Sequence, residues 1–253
     1  MITFKTGPKS PKPLFLILTA LAFMTVSGGR LPEAWGQAYR DQSPEAGIGS
    51  SKVRLNGPAS FPRIDGLDRN LDDILLATQS PAAAILAIYA EPAAWKKFQA
   101  RGKNDEIGLS CHAVISTPAP MAGRNITSAD FQRIKKDLTE NLKAGVARER
   151  QLEDELSTVS DHKVEKAVGR LDDFKVLEEG PAFISYRLDS SLEMKFKDKS
   201  KPRTSRSATV TSTLLLNGKI INLQLTADSQ GALPADLEKT GRLWRESFLK
   251  GNP

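Results

Sequence analysis

The spacing of apolar residues predicts alternating helices and strands in the first half of the chain. Leucines recur at helical spacing between Leu67 and Leu75, which predicts a short helix over residues 67–78. The apolar run at residues 82–89 lies between two prolines and predicts a buried strand, with a helix as the alternative because alanines open it. Residues 91–100 carry a proline at the first helical position and end before a glycine, so they predict another short helix.

Residues 109–117 alternate regularly and predict a strand. Successive side chains of a strand point to opposite faces, so Cys111 shares a face with Ile115, whereas His112 lies on the other face with Ser116. Cys111 and His112 therefore cannot form a nucleophile–base pair with each other. We interpret Cys111 as a buried, inert thiol and His112 as an ordinary surface or half-buried histidine.

The longest helical signal begins at Thr127 or Ser128, because either side chain can cap the first amides of a helix. Apolar residues recur at helical spacing from Phe131 onward. The same periodicity continues to Leu156. The pattern therefore predicts either one helix that extends to that residue or two helices that meet at Gly145.

The C-terminal third predicts an antiparallel meander, because short apolar stretches alternate with turn residues. Asn217-Gly218 marks a tight hairpin, since both residues tolerate the positive φ that such a turn requires. Pro234 opens a terminal amphipathic helix that carries Trp244. The polar segment 157–173 predicts no element. The strand candidates are residues 174–177, 182–188, 192–196, 208–216 and 219–226.

Helices that flank an antiparallel sheet form a layered α+β fold, and the sequence predicts one such domain over residues 53–253. Residues 39–52 are polar and aperiodic, and we interpret them as a flexible leader. Residues 1–38 have a basic start, then an apolar run at 14–26 that is short for a membrane span, then small residues. This order is typical of a secretory signal peptide, so we expect a periplasmic or extracellular protein; an N-terminal membrane anchor is the alternative.

Charge and composition exclude several function classes. The formal net charge is +6, but residues 1–38 carry four basic residues and one acid, so half of the charge belongs to that segment. A role in nucleic-acid binding loses most of its support once this segment is removed. One cysteine and two histidines exclude an intrachain disulfide framework and a cysteine-rich zinc site. We predict neither a metal site nor a cofactor.

Adjacent acidic residues are the other candidates for chemistry, because paired carboxylates can supply a general acid and a general base. Neighbours in sequence face apart on a helix or a strand, so we expect these residues to form a solvated surface. An enzyme that uses dispersed carboxylates or His112 remains an alternative. The acid pairs are Asp72-Asp73, Asp172-Asp173 and Glu178-Glu179.

Residues 195–206 form the most basic segment, with six cationic residues and one acid. Pro202 and the neighbouring Ser and Thr residues predict a solvated hairpin connection. Such a loop either keeps the strand ends soluble and unpaired or contacts an anionic surface, such as lipid headgroups or an acidic partner. The candidate binding residues are Lys195, Lys197, Lys199, Lys201, Arg203 and Arg206.

The order of these elements, with Trp95 and Phe98 on a short helix and Trp244 on the terminal helix, resembles secreted α+β proteins of the PsbP-like type. The resemblance covers most of residues 53–250. It implies a non-enzymatic accessory or binding factor and supplies no catalytic residue. The resulting hypothesis is an exported, non-catalytic binding or accessory protein of unknown ligand. An envelope enzyme and a structural component of an envelope assembly are the alternatives.

Overall fold

The computed structural model describes residues 43–68, 71, 82–100, 109–151, 164–196, 203–228 and 236–253. These residues form nine strands and three complete α-helices. The strands are β1 (Glu45–Ile48), β2 (Ser51–Arg54), β3 (Ala83–Ala90), β4 (Cys111–Pro118), β5 (Glu149–Gln151), β6 (Val164–Gly180), β7 (Phe183–Phe196), β8 (Arg203–Leu216) and β9 (Lys219–Asp228). The helices are α1 (Pro92–Gln99), α2 (Ser128–Gly145) and α3 (Leu237–Gly251).

One antiparallel sheet of seven strands organises the described residues, in the order β3-β4-β9-β8-β7-β6-β5. The strands β1 and β2 pair separately as a small antiparallel hairpin. The predicted α+β class, with an antiparallel sheet flanked by helices, is therefore confirmed.

The sheet separates two apolar layers. On one side, which we call the α3 face, Phe248 of α3 belongs to the same buried cluster as Leu223 of β9. On the other side, which we call the α2 face, Leu142 of α2 belongs to a cluster with Tyr186 of β7. A further cluster contains Phe98 of α1 and covers the β3–β4 end of the α2 face. Each sheet face is thus buried by its own helices.

The elements predicted in the first half of the domain are confirmed where the structure describes them. The strands expected at residues 82–89 and 109–117 are β3 and β4, and the helix expected at 91–100 is α1. Glu91 caps α1, because its Oε2 atom accepts a hydrogen bond from the Ala94 amide at 2.7 Å. A carboxylate at this end also complements the helix dipole.

The start of α2 is confirmed as predicted and rests on a reciprocal capping box. The Asp130 amide donates to Thr127 Oγ1 at 3.1 Å, and the Thr127 amide donates to Asp130 Oδ2 at 3.3 Å. These two contacts satisfy amides that the first helical turn leaves without partners.

The expected continuation of this helix beyond Gly145, as one helix or as two, is wrong as far as residue 151, and the remaining part up to Leu156 lies outside the described residues. The helix ends at Gly145, and Ala147 adopts a positive φ of 64° that turns the chain back. The Ala147 amide then donates to the Leu171 carbonyl at 2.8 Å, and the chain continues as β5, which pairs with β6. Pairing with the sheet has overridden the local helical periodicity.

The C-terminal meander is confirmed, but its strands are longer than predicted. The separate candidates at residues 182–188 and 192–196 belong to one strand, β7. The polar segment that predicted no element contributes residues 164–173 to β6. The hairpin turn at Asn217-Gly218 is confirmed, with positive φ values of 49° and 72°.

The flexible leader predicted for residues 39–52 is wrong from Glu45 onward, because this stretch begins the β1–β2 hairpin. Ala46 and Ile48 alternate with exposed residues and are buried in the cluster of the α3 face. Gly49, at a φ of 60°, allows the turn between the two strands. The folded part of the chain therefore begins before residue 53.

Two predicted segments lie outside the described residues wholly or for the most part. The signal peptide predicted for residues 1–38 lies wholly outside them. Of the helix predicted over residues 67–78, the structure describes Leu71, which is helical and buried, and two residues at its start, where Leu67 is 60% exposed.

The predicted terminal helix is confirmed as α3. Hydrogen bonds connect its second half to residues 54–56, near the start of the described chain. Trp244 Nε1 donates to the Asn56 carbonyl at 2.7 Å. The Asn252 side chain accepts from the Arg54 amide at 2.6 Å and donates to the Arg54 carbonyl at 3.1 Å. These contacts hold α3 against the sheet, where it forms one wall of the site described below.

Candidate functional site: a charged cleft beside α3

A cleft of about 330 Å³ opens on the α3 face, between α3 and the strands β6, β7 and β8. Gly241 sets the position of the helix, because a Cβ atom at this residue would lie 2.7 Å from Val210 Cγ1. The helix therefore touches the sheet at Val210 and leaves the space beside this contact open. The charged side chains that line the cleft are Lys175, Glu178, Glu238, Lys239, Arg242 and Arg245.

Arg245 is the buried cation of the cleft, with a side chain that is 4% exposed. Its Nη2 atom donates to Glu178 Oε2 at 2.7 Å, and its Nη1 atom donates to Ser185 Oγ at 2.9 Å. The guanidinium also lies 4.1 Å from the centroid of the Phe183 ring. A carboxylate, a hydroxyl and an aromatic ring thus hold the guanidinium in one position.

Two buried hydroxyls continue this network across the sheet. Ser185 Oγ and Ser212 Oγ lie 2.7 Å apart, within hydrogen-bond distance. Ser185 accepts from the Arg245 guanidinium, which is a permanent donor and has no basic lone pair. The described lining contains neither histidine nor cysteine, so no imidazole is in place to activate either serine as a nucleophile.

Two cations at the mouth of the cleft differ from Arg245. Lys239 and Arg242 are exposed, and neither has an ion-pair partner among the described residues. Glu238, by contrast, lies 3.3 Å from Arg187 Nη1 and 4.0 Å from Lys175 Nζ. Four basic and two acidic residues line the cleft, so its lining carries an excess of positive charge. Such a concave surface favours an anion.

Of the residues predicted to contact an anionic surface, the three that the structure describes lie on β7 and β8, and none of these three lines the cleft. Lys195 is on β7, and its Nζ atom lies 2.8 Å from Glu165 Oε1, so its charge is paired. Arg203 and Arg206 are on β8. Lys197, Lys199 and Lys201 lie outside the described residues. The contact with an anionic surface stays a prediction.

Cys111 is buried, as predicted, and lies on the α3 face. Burial raises the pKa of its thiol to about 11, with a smaller contribution from the Glu91 carboxylate, so the thiol is protonated at neutral pH. His112 lies on the opposite face and is only slightly exposed. Burial lowers the pKa of His112 to about 4, because the imidazolium loses its hydration there.

The acid pairs do not converge on a common site within the described residues. Glu178 and Glu179 point to opposite faces of the sheet, where Glu178 pairs with Arg245 and Glu179 Oε1 lies 2.7 Å from Lys135 Nζ. Both carboxylates are about half exposed, but each pairs with a buried cation. The expectation that these two residues only form a solvated surface is therefore wrong. Asp172 pairs with Arg170 at 2.6 Å.

The remaining acids have local roles or lie elsewhere. Asp173 Oδ1 accepts from the Phe174 amide at 2.8 Å. The pair Asp72-Asp73 and the second histidine, His162, are outside the described residues.

Sequence reasoning missed Arg245 and Lys135 because both are polar residues at buried helical positions. Arg245 follows Trp244 and lies one turn before the buried Phe248 of α3, and Lys135 lies between the buried residues Phe131 and Leu138 of α2. A cation within an apolar stripe was the available signal, since such residues are seldom fully buried without a partner.

A second group of buried polar side chains lies on the α2 face. It consists of Ser116, Thr211, Thr213 and Asn222, and we call it the polar band. Register places Asn222 opposite both Ser116 and Thr213. Thr213 Oγ1 donates to Asn222 Oδ1 at 3.0 Å. Ser116 Oγ, Thr211 Oγ1 and Asn222 Nδ2 have no hydrogen-bond partner in the part of the chain that the structure describes.

Within the described ranges, no three or more His, Cys, Asp and Glu residues group in a way that could hold a metal ion. Among the helices of those ranges, none combines the length and the apolar character needed to cross a membrane.

Comparison with known proteins finds a weak structural neighbour. No family model matches the chain, and no curated protein matches it. The Ran-binding protein Mog1p of Saccharomyces cerevisiae is similar in structure, with 9% sequence identity over 79% of this chain and 86% of that chain. The TM-score is 0.25, a likeness that carries no argument about function. Membership of a PsbP-like family stays a prediction.

Proposed function

We propose that this protein is a non-catalytic binding or accessory protein that holds an anionic ligand in the cleft beside α3. The observation that carries the proposal is a pair of exposed cations, Lys239 and Arg242, that have no ion-pair partner among the described residues and line the same cleft as the fixed guanidinium of Arg245. Exposed charges on an ordinary surface are common, but these two border a concave site whose lining is already positive.

Carboxylate is the chemistry that suits this arrangement. A guanidinium recognises a carboxylate through two parallel hydrogen bonds, and Arg242 has all of its donors available within the described structure. Lys239 adds a mobile point charge. Ser212 adds a hydroxyl on the floor of the cleft, next to Ser185. Because the Arg245 side chain is already held in place, no conformational entropy is lost in ordering it when a ligand binds.

A catalytic role has less support than binding. The serines of the floor lie beside a guanidinium donor, which cannot remove a proton from a hydroxyl. His112, the histidine considered for an enzymatic role, lies on the opposite face of the sheet. A screen of the purified protein that found turnover abolished by one side-chain change would replace the binding proposal with an enzymatic one.

Export to the periplasm or the extracellular space is also part of the proposal, and its support is the sequence of residues 1–38. N-terminal sequencing of the protein from its native compartment should find a start near Gly29, Arg30 or Tyr39. Recovery of Met1 would reject cleavage and favour an N-terminal anchor.

The binding proposal is tested by isothermal titration with succinate, a dicarboxylate probe, at low ionic strength. The double variant Lys239→Gln/Arg242→Gln should weaken succinate binding by about tenfold or more, because two charge-assisted contacts are lost. The matched control is Arg133→Gln/Lys136→Gln on α2, which removes the same charge from exposed residues of the other sheet face. The control should bind like the unmodified protein. Equal weakening by both variants, or no saturable binding at all, would contradict the proposal.

A further inference from the structure

The cleft lies beside a sheet edge that is only partly paired. The strand β6 has 17 residues, and β5 pairs with three of them, Val168 to Arg170. The Leu171 carbonyl accepts from the Ala147 amide. From residue 172 to residue 180, no strand of the described structure pairs with the outer edge of β6. An edge of this kind can accept another extended segment.

This open edge also forms one wall of the cleft. Lys175, Leu177 and Glu178 of β6 line it, whereas Val176 points away from it and is 36% exposed. A segment paired with β6 would direct every second side chain toward the cleft, since side chains alternate along a strand. Those side chains would face Lys175 and the two cations of α3, Lys239 and Arg242, that have no ion-pair partner in the described part of the chain.

We propose that the occupant of this surface is an extended acidic peptide segment of a partner protein, added as a strand to the edge of β6. The inference rests on the proposed function, because it names the anionic ligand of the same cleft. Backbone hydrogen bonds to β6 would supply the alignment, and carboxylates on alternate residues would reach Lys175, Lys239 and Arg242.

The edge limits how long the paired segment can be. The pairing of β6 with β7 shifts register between Leu171 and Asp173 and again between Val176 and Glu178. Bulges of this kind interrupt a ladder and restrict edge pairing. Asp173 also accepts from the Phe174 amide, a contact that an incoming carbonyl could compete with. Only the regular stretch between the two shifts is suited to strand pairing, so we expect a short paired segment and a modest affinity.

The test uses fluorescence anisotropy with a short, fluorescein-labelled peptide that alternates glutamate and threonine. Two further versions carry backbone N-methyl groups, one on every glutamate and one on every threonine, so that each blocks one edge of the extended peptide without changing its charge. We expect the parent peptide to bind and one methylated version to lose about tenfold or more in affinity, while the other version binds like the parent.

Three results separate this inference from the proposed function. If both methylated versions bind like the parent and Lys239→Gln/Arg242→Gln weakens them all, the cleft binds anions but the edge is not used, and the strand-addition inference fails alone. If succinate binds and no peptide does, the inference again fails alone. If succinate and peptides bind equally well to the double variant and to the unmodified protein, both proposals fail.

Discussion

The surroundings of Arg245 on the α3 face and the polar band on the α2 face treat buried polar groups differently. On the α3 face, the buried guanidinium of Arg245 has a carboxylate, a hydroxyl and an aromatic ring around it. Lys135, the buried cation of the α2 face, is also satisfied, by Glu179 and the Gly180 carbonyl. The neutral polar band of the α2 face is not: hydroxyl and amide atoms there lack partners in the described part of the chain.

The difference follows from the cost of burial. An unpaired charge in the interior costs several kcal/mol, whereas an unpaired neutral donor or acceptor costs about 1–3 kcal/mol. A fold of ordinary stability, about 5–15 kcal/mol, can carry a few of the second kind but not the first. The comparison therefore predicts that removing a buried charge lowers the stability of this protein strongly, whereas removing an unpartnered hydroxyl of the polar band does not.

The largest expected effect is on Arg245. Replacing this residue by alanine should lower the free energy of unfolding by about 3–4 kcal/mol, since the guanidinium is buried and hydrogen-bonded to both Glu178 and Ser185. The matched control is Arg242→Ala, one turn earlier on the same helix, which is exposed and should change stability by less than about 0.5 kcal/mol. Urea denaturation of the two variants measures the difference. Equal free energies of unfolding for Arg245→Ala and Arg242→Ala would show that the buried guanidinium contributes no more to stability than the exposed one.

The next effect concerns His112 on the α2 face. Its pKa is about 4 in the folded protein against an ordinary value of 6.5. A lowered pKa means that the unfolded chain binds the proton first, so the stabilisation is complete above about pH 6.5 and is lost as the pH falls toward 4. Between about pH 7 and about pH 4.5 the loss is about 2–3 kcal/mol.

The variant His112→Gln isolates this contribution, because the carboxylates that also titrate in acid are common to both proteins. The difference in unfolding free energy between variant and unmodified protein should depend on pH below 6.5 and be constant above it. A difference that stays constant over the whole range would show that the folded-state pKa of His112 is not lowered.

The smallest effect compares two threonines of the polar band that lie two residues apart on β8. Thr211 Oγ1 has no partner among the described residues, so Thr211→Val should leave stability unchanged or raise it by about 1 kcal/mol. Thr213 donates to Asn222, so Thr213→Val should lower stability by about 1 kcal/mol. Thermal unfolding of both variants gives the comparison, and a loss at Thr211 as large as that at Thr213 would mean that its hydroxyl is satisfied.

Much of the fold follows from local patterns. The alternation of residues 109–117 predicts β4, and the proline and glycine that bound the segment 91–100 predict α1. Asn217-Gly218 predicts the last hairpin. Local patterns fail to predict the structure where it is determined by pairing between strands that are far apart in sequence. The first part of β6 carries charged side chains on its exposed positions, which hides the alternation of buried Ala167 and Leu171.

The cleft could not be predicted from the sequence, because its parts come from distant positions. The Arg245–Glu178 contact joins residues 67 positions apart, and no spacing rule connects them. The segment before residue 53 folds for a related reason. Its glycines and serines suggest flexibility, but Ala46 and Ile48 find a surface to bury against on the α3 face.

The central claim is that the cleft beside α3 binds anions, and the most direct measurement is an NMR titration of the ¹⁵N-labelled protein with succinate. The account predicts saturable shifts of the Arg242 and Arg245 side-chain Nε–H signals and of the backbone amides from Lys175 to Glu178, with the amides of α2 unmoved. Shifts that are absent from these residues, or that are confined to the basic segment 195–206, would contradict it.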